Sequence, residues 1–253
     1  MKAGPLIAVL LAWSLCAPGR EALLPRRDSL TVGRLDNGLT YYICPHAQPA
    51  GEAVYRLFVK AGSLQEREDQ QGLAHFLEHL AFNGTEHFPS DAMVRFLEHH
   101  GARFGSDLNA HTSFNETVYK FQLPSADPAL VDSTITILSD IAAGQSIAPE
   151  EVEKERGVIL SEWRQRSGSK KKNEAFLDEI LEGSRFADRP TIGDTAVIRY
   201  ATPGVIRDYY RTWYRPSLMA VAVVGDVDPV LVERLVRARF SALVDRTEPE
   251  AVP

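Results

Sequence analysis

Two short strand-like runs with apolar positions at Leu30, Val32, Leu35 and at Leu39, Tyr41 to Cys44 stand on either side of Asp36-Asn-Gly38. Short runs of this kind bounded by turn residues read as strands, and Asn-Gly supplies the backbone freedom a tight hairpin turn needs. A third strand-like run, 53–59, stops at Ala61-Gly-Ser. The period then lengthens to that of a helix through His75, ending near Asn83-Gly84. Pro89-Ser-Asp opens a second helix that runs to His100 and closes on Gly101. Residues 103–112 and 117–123 read as another strand pair around Asn115-Glu116. Helical stretches are expected at 128–143, 149–166 and 173–183, a loop at 188–202, and a helix at 203–214. The strongly apolar run 217–225 reads as a strand, and a last helix follows Asp226-Val-Asp-Pro229 to about Phe240. Strand pairs set among helices, without strict strand–helix–strand repeats, predict an α+β fold with a largely antiparallel sheet packed against helices.

Composition sharpens this picture in a few places. A chain of 253 residues, 44% hydrophobic, can bury a full core, and its net charge of −6 with no long basic stripe excludes nucleic acid as the expected partner. Lys170 to Lys172 is a short solvated turn in a Ser/Gly loop. The start is different: Met1-Lys2, an apolar run from Leu6 to Ala17, then Pro-Gly-Arg. That is the pattern of a secretory signal over residues 1–20, too short for a membrane span of about 20 apolar residues. The expectation is export, with no transmembrane helix in the mature chain and the bacterial periplasm as destination; lipid anchoring through Cys16 is the alternative. Without Cys16, Cys44 has no disulfide partner and reads as a small buried hydrophobe. Residues 244–253, polar and Pro-rich, read as a linker to a missing second half, which leaves 28–243 as one domain.

The chemistry concentrates in His75-Phe-Leu-Glu-His79. On a helix two histidines four apart stand on one face, and Glu78 falls within the same arc of roughly 100°. Two neutral imidazoles so placed can grip one zinc ion while the carboxylate stays beside the water. His-x-x-Glu-His is the inverzincin order, the reverse of His-Glu-x-x-His. The same letters could also make a solvated polar face. The chain carries its own control in Arg95-Phe-Leu-Glu-His99, where a guanidinium with no lone pair replaces the first histidine. Glu98, His99 and His100 therefore read as surface positions.

A catalytic zinc ion usually takes three protein ligands. His87 and His111 are available, but the richest source of carboxylates is 149–163. On a helical wheel Val152, Ile159, Leu160 and Trp163 share an apolar face. Glu153 lies about 20° beyond Leu160 and Glu155 about 40° beyond Ile159 on the other side; Glu150, Glu151 and Glu162 point further away. The wheel leaves Glu153 and Glu155 both open.

Taken together, Gly72-Leu-Ala-His-Phe-Leu-Glu-His-Leu-Ala-Phe-Asn-Gly-Thr85, Asn109-Ala-His-Thr-Ser113 with Glu116-Thr-Val-Tyr119, Glu153-Lys-Glu-Arg-Gly-Val-Ile-Leu-Ser-Glu-Trp163 and Tyr210 to Asp226 resemble the pitrilysin/insulinase zinc peptidases, which include the mitochondrial processing peptidases. The resemblance covers nearly all of the chain after residue 30 and is closest to exported bacterial members. It implies a zinc metalloendopeptidase domain with one Zn²⁺ on His75, His79 and, by its Glu-x-Glu-Arg pattern, Glu153 rather than Glu155. It implies Glu78 as general base, and Asn109, Ala110, His111 and Thr112 as an edge strand that pairs with a peptide or unfolded polypeptide. It also implies a second homologous half, in cis or in trans. The alternative is a non-catalytic structural or binding subunit, but such members have typically lost the His or Glu residues that are present here.

Overall fold

The structure is a computed structural model that describes residues 28–169 and 179–246. The signal segment, Lys170 to Lys172, most of 173–183 and the tail beyond Arg246 lie outside the described residues. Among the described residues six strands form one sheet: β1 (Thr31–Arg34), β2 (Thr40–Pro45), β3 (Ala53–Val59), β4 (Leu108–Thr112), β5 (Thr117–Leu123) and β6 (Met219–Gly225), in the order β1-β2-β6-β3-β5-β4. Every neighbouring pair is antiparallel except β2–β6, which is parallel. The expected α+β class and largely antiparallel sheet are found.

The helices are α1 (Leu73–Leu80), α2 (Ala92–His99), α3 (Pro128–Ala143), α4 (Pro149–Ser169), α5 (Arg185–Asp188), α6 (Thr195–Tyr200), α7 (Pro203–Trp213) and α8 (Pro229–Phe240). Several starts follow directly from sequence. Asp127, Thr202 and Asp228 each cap a helix through a side-chain oxygen, and each is followed by a proline whose missing N–H costs nothing at a helix start. The hairpin turn at Gly38 is left-handed with φ of 92°, and Asn37 Nδ2 donates to the carbonyls of Phe240 and Leu243, tying the turn to the end of α8.

Alternate strand residues enter the core: Tyr41 and Ile43, Tyr55, Leu57 and Val59, Tyr119, Phe121 and Leu123, Val221 and Val223 are all essentially inaccessible. They meet the buried faces of α1, α3, α7 and α8 in one continuous apolar cluster. The other sheet face is open, with Val32, Tyr42, Phe58 and Val224 exposed along it. Cys44 lies half-buried on the same side of β2 as exposed Tyr42, so the expectation of a buried thiol is corrected; strand alternation turns it away from the core.

Two other expectations need correction. Residues 103–107 are not strand, because Gly105 turns left-handed with φ of 90° and Asp107 bonds back to Arg103. Residues 188–202 are not simply loop, because Asp194 caps the short α6 by accepting from the Ala196 and Val197 N–H groups. No helix among the described residues is long and apolar enough to cross a membrane.

Candidate metal centre and active site

Helix α1 is short, and its placement is controlled at its first turn. Gly72 takes the left-handed conformation with φ of 100°, and a Cβ there would press on Gly193 and Ile198. The buried Glu66 carboxylate accepts from the N–H groups of Gly72 at 2.9 Å and Ala74 at 2.8 Å, filling donors that a helix start leaves open. Burial pushes the Glu66 carboxyl up to about 8, against the pull of those two N–H groups and of Arg189 and Arg185. The helix then lies between the sheet and α4, and of its eight residues only His79 is not buried.

This packing brings three ligand atoms together. His75 Nε2 and His79 Nε2 are 3.3 Å apart, and Glu162 Oε2 is 3.6 Å from each. A tetrahedral zinc ion with bonds of about 2.0–2.1 Å holds its ligands about 3.3–3.4 Å apart, so the triangle fits the ion in both donor type and spacing. His79 Nδ1 lies 3.1 Å from Glu155 Oε2, and Asn83 Nδ2 donates to the other oxygen of Glu155 at 2.8 Å. With Nδ1–H donating to Glu155, the Nε2 lone pair of His79 is left facing the triangle. Burial opposes a charge on His79, but the Glu155 hydrogen bond and the charges of Glu78, Glu155 and Glu162 outweigh it and raise its pKa above the usual value. Burial likewise opposes charge on Glu155, and the bonds from His79 and Asn83 overcome it, holding the carboxyl below the usual range.

Glu153 is not in this group. Its carboxylate is exposed and paired with Arg156 at 2.8 Å, which lowers its pKa. The expectation that it joins the histidines is corrected by geometry: nine residues separate it from Glu162, which puts the two about 180° apart on one helix. Glu155 and Glu162, seven apart, share the flank of α4 that faces α1. The wheel treated the centre of the apolar face as the direction of the site, whereas the site lies on one flank of it. A sequence signal existed in that seven-residue spacing of two glutamates beside Val152 and Ile159.

Glu78 is buried next to the triangle, and its Oε2 accepts from Thr112 Oγ1 at 2.5 Å. A cleft of about 350 Å³ opens beside Glu78 and His79, with Phe82, Phe104, Ala110 and Val158 as apolar walls. Asn109, Ala110, His111 and Thr112 all lie on β4, an outer strand of the sheet. Asp107 O and Ser113 N bond inward to the β5 side, so by alternation Ala110 and Thr112 direct their backbone groups outward. Asn109 Oδ1 already accepts from Ala110 N. His111 Nε2 is 3.6 Å from Glu116 and takes no part in the triangle.

A second group, Glu86, His87 and Asp140, also has ligand atoms close together. Here both oxygens of buried Asp140 are occupied, by Thr85 Oγ1 and the His87 N–H on one side and His87 Nδ1 on the other. It is a hydrogen-bonded corner, and His87 is held there rather than at the His75 triangle.

With this geometry in view, the chain can be set beside known proteins. Residues 41–188 match the family model described as Insulinase (Peptidase family M16), and residues 200–253 match Peptidase M16 inactive domain. The chain is 38% identical over 236 residues to the Probable zinc protease PqqL of Escherichia coli, covering 92% of this chain and 25% of that protein. The crystal structure of the periplasmic protease PqqL from Escherichia coli superposes with a TM-score of 0.84 at 37% identity, over 90% of this chain and 25% of that one. The crystal structure of the first half of the same protease also gives 0.84, with 90% of this chain covering 49% of it. The chain thus spans about a quarter of the length of the curated relative and about half of that solved first half.

Proposed function

Because the chain belongs to the insulinase (M16) family of peptidases, we propose that it is the metal-bearing domain of a zinc-dependent endopeptidase, with His75, His79 and Glu162 as the ligands of one zinc ion. The observation that carries the reading is the triangle of 3.3, 3.6 and 3.6 Å between their ligand atoms. Zinc bound there would lower the pKa of a water and polarise the scissile carbonyl. Glu155 orients the His79 ring. Glu78 takes a proton from the attacking water and later passes it to the leaving amine, while the Zn-directed faces of the histidines stay deprotonated. The outward backbone groups of Ala110 and Thr112 on β4 support pairing with an extended peptide, which would lie across the apolar cleft bounded by Phe82 and Phe104. The substrate class is accordingly an unfolded or extended polypeptide.

Since the relatives are about four times longer, further homologous domains, in cis or in trans, are part of this reading. They would cover the peptide from the other side, exclude water and help steady the developing oxyanion. Export to the bacterial periplasm is proposed from the apolar N-terminal segment, and the similar Escherichia coli protease is described as periplasmic.

The test uses the whole protein as its gene encodes it. Metal analysis is expected to give one zinc per chain, and a fluorogenic peptide library is expected to be hydrolysed in a chelator-sensitive way. Hydrolysis that survives complete zinc removal would overturn the assignment.

A further inference from the structure

The face that α4 turns towards α1 has two borders. Measured around the helix from Glu155, Glu162 lies about 20° to one side, Ile159 and Val152 about 40° and 60° to the other, and Arg156 about 100°. Glu155 and Glu162 form the border that reaches the two histidines. Arg156 forms the opposite border, and its bonds go elsewhere. Its side chain is largely buried; one Nη donates to the carbonyl of Ile198 and the other to that of Ala201 at 2.7 Å. These carbonyls close α6, where a helix leaves acceptors outside its own ladder and favours a cation. The same guanidinium lies over the ring of Phe76, 5.8 Å from its centroid, within the range of a cation held by an aromatic face. Phe76 is inaccessible and adjoins His75 on α1, while Ile198 abuts Gly72, the left-handed residue that opens α1. Glu153 meets the guanidinium from the solvent side, an exposed pair of little weight. One side chain of α4 therefore grips α1 twice, directly at Phe76 and through α6 at Gly72.

We propose that Arg156 is a positioning residue of the metal centre: its grip on α6 and Phe76 sets the rotation of α4 about its own axis, and with it the approach of Glu162 and Glu155 to His75 and His79. The proposal rests on the zinc reading above and deepens it. The two histidines owe their spacing to α1 alone, whereas the third ligand comes from another helix and depends on how that helix is turned. The lever is sensitive. Side chains reach about 5–6 Å from a helix axis, so a roll of about 20° carries a carboxylate about 2 Å. That is as long as a zinc–ligand bond. The bridge across two carbonyls suits a planar guanidinium, which presents its donors in a rigid fork; an ammonium is a point charge on a flexible stem. Arg156 touches no reacting atom and acts through the helix that carries it.

The experiment compares wild type with Arg156→Met in the whole protein; methionine keeps much of the stem and removes the charge and every donor. Zinc affinity is read by competition with a chromogenic chelator, at a temperature where circular dichroism shows the metal-free variant folded. Both proteins are then loaded with cobalt(II), whose visible absorption reports the ligand set and its geometry. Arg156→Met is expected to bind zinc about 10–100-fold more weakly, the usual weight of a group that orients a ligand, and to change the cobalt spectrum. A loss below about tenfold, or an unchanged cobalt spectrum, would each overturn the proposal, however far the melting temperature falls. If Arg156→Met does not fold, Arg156→Lys decides, because it keeps a cation over Phe76 and loses the fork. A loss of more than about threefold is expected there, and a smaller one would overturn the proposal. Wild type that binds no zinc would overturn the zinc reading and this inference together. Zinc bound equally by wild type and variant would overturn the inference alone.

Discussion

Helices α1 and α2 carry nearly the same words, His-Phe-Leu-Glu-His at 75–79 and Arg-Phe-Leu-Glu-His at 95–99, and their fates diverge. In α1 the phenylalanine, leucine and glutamate are all buried, and the histidines meet Glu162 and Glu155 from α4. In α2 only Met93 and Leu97 are buried, Arg95 pairs with Asp91 one turn earlier, and Glu98 and His99 face solvent. The helical period puts the same residue types on one face in both cases. What differs is whether a second element crosses that face and brings acceptors to it. A motif is therefore half of a site; α4 supplies the other half.

That comparison can be broken most decisively by removing ligands. His75→Ala and His79→Ala are expected to lose nearly all bound zinc and all detectable peptide hydrolysis, whereas His99→Ala retains both at wild-type levels by metal analysis and peptide assay. Along α4, Glu162→Gln is expected to release zinc, while Glu153→Gln, which alters only an exposed pair with Arg156, retains it. Zinc lost from the Glu153 variant and kept by the Glu162 variant would reverse the assignment.

The next effect separates the two glutamates of the repeated words. Glu78→Gln is expected to keep zinc and slow hydrolysis about 10²–10⁴-fold, the usual weight of a general base. Glu98→Gln, on the exposed face of α2, is expected to leave the rate unchanged. A smaller loss belongs to Glu155→Gln, expected to weaken zinc affinity about 10–100-fold by releasing the orientation of His79, read by competition with a chromogenic chelator.

Packing sharpens the comparison without reference to catalysis. Phe76 is inaccessible and Phe96 only partly buried, so Phe76→Ala is expected to cost about 3–5 kcal/mol and Phe96→Ala clearly less, by denaturant titration of the metal-free protein.

Smallest is a pH effect at the corner formed by His87 and Asp140. The Asp140 hydrogen bond and charge raise the pKa of His87 above its ordinary value. A histidine pKa raised by folding stabilises fully below the unfolded value of about 6.5, and the gain fades as pH rises through the folded value. Melting curves of wild type and His87→Gln are expected to differ most at acidic pH and to converge as pH rises. A gap that widens towards alkaline pH would contradict this sign.

Much of the framework is legible in local chemistry. The hairpin at Asn37-Gly38, strand β3, and helices α3 and α8 fall where the Asn-Gly turn, a short strand-like run and helix-opening prolines place them. That His75 and His79 stand side by side on α1 is legible because four-residue spacing on a helix fixes relative direction before any tertiary contact exists. The approach of Glu162 to them is harder to read: its seven-residue spacing from Glu155 marks a flank of α4, but the azimuth at which α4 crosses α1 is not in a wheel, which gives directions only relative to its own axis. Residues 103–107 were obscured by Phe104 and Leu108, which look strand-like although Gly105 turns the chain between them. The hydrogen bond from Thr112 to Glu78 joins positions 34 apart and has no local signature at all.

The order of the strands also sets a timetable. β2 and β3 follow one another along the chain but are not neighbours in the sheet; the slot between them is filled by β6, residues 219–225. A chain folding from its N-terminal end must hold this slot open while well over a hundred residues arrive. In the meantime β2 and β3 run antiparallel and adjacent in sequence, the arrangement of a premature hairpin that would close the slot and have to be undone. Such long-range closure is slow and leaves strand edges open to other chains while it waits. β6 is thus the strand that completes the sheet on which α1 rests. Pulse-labelled hydrogen exchange should find the amides at the β2–β6 and β3–β6 borders protected late and together.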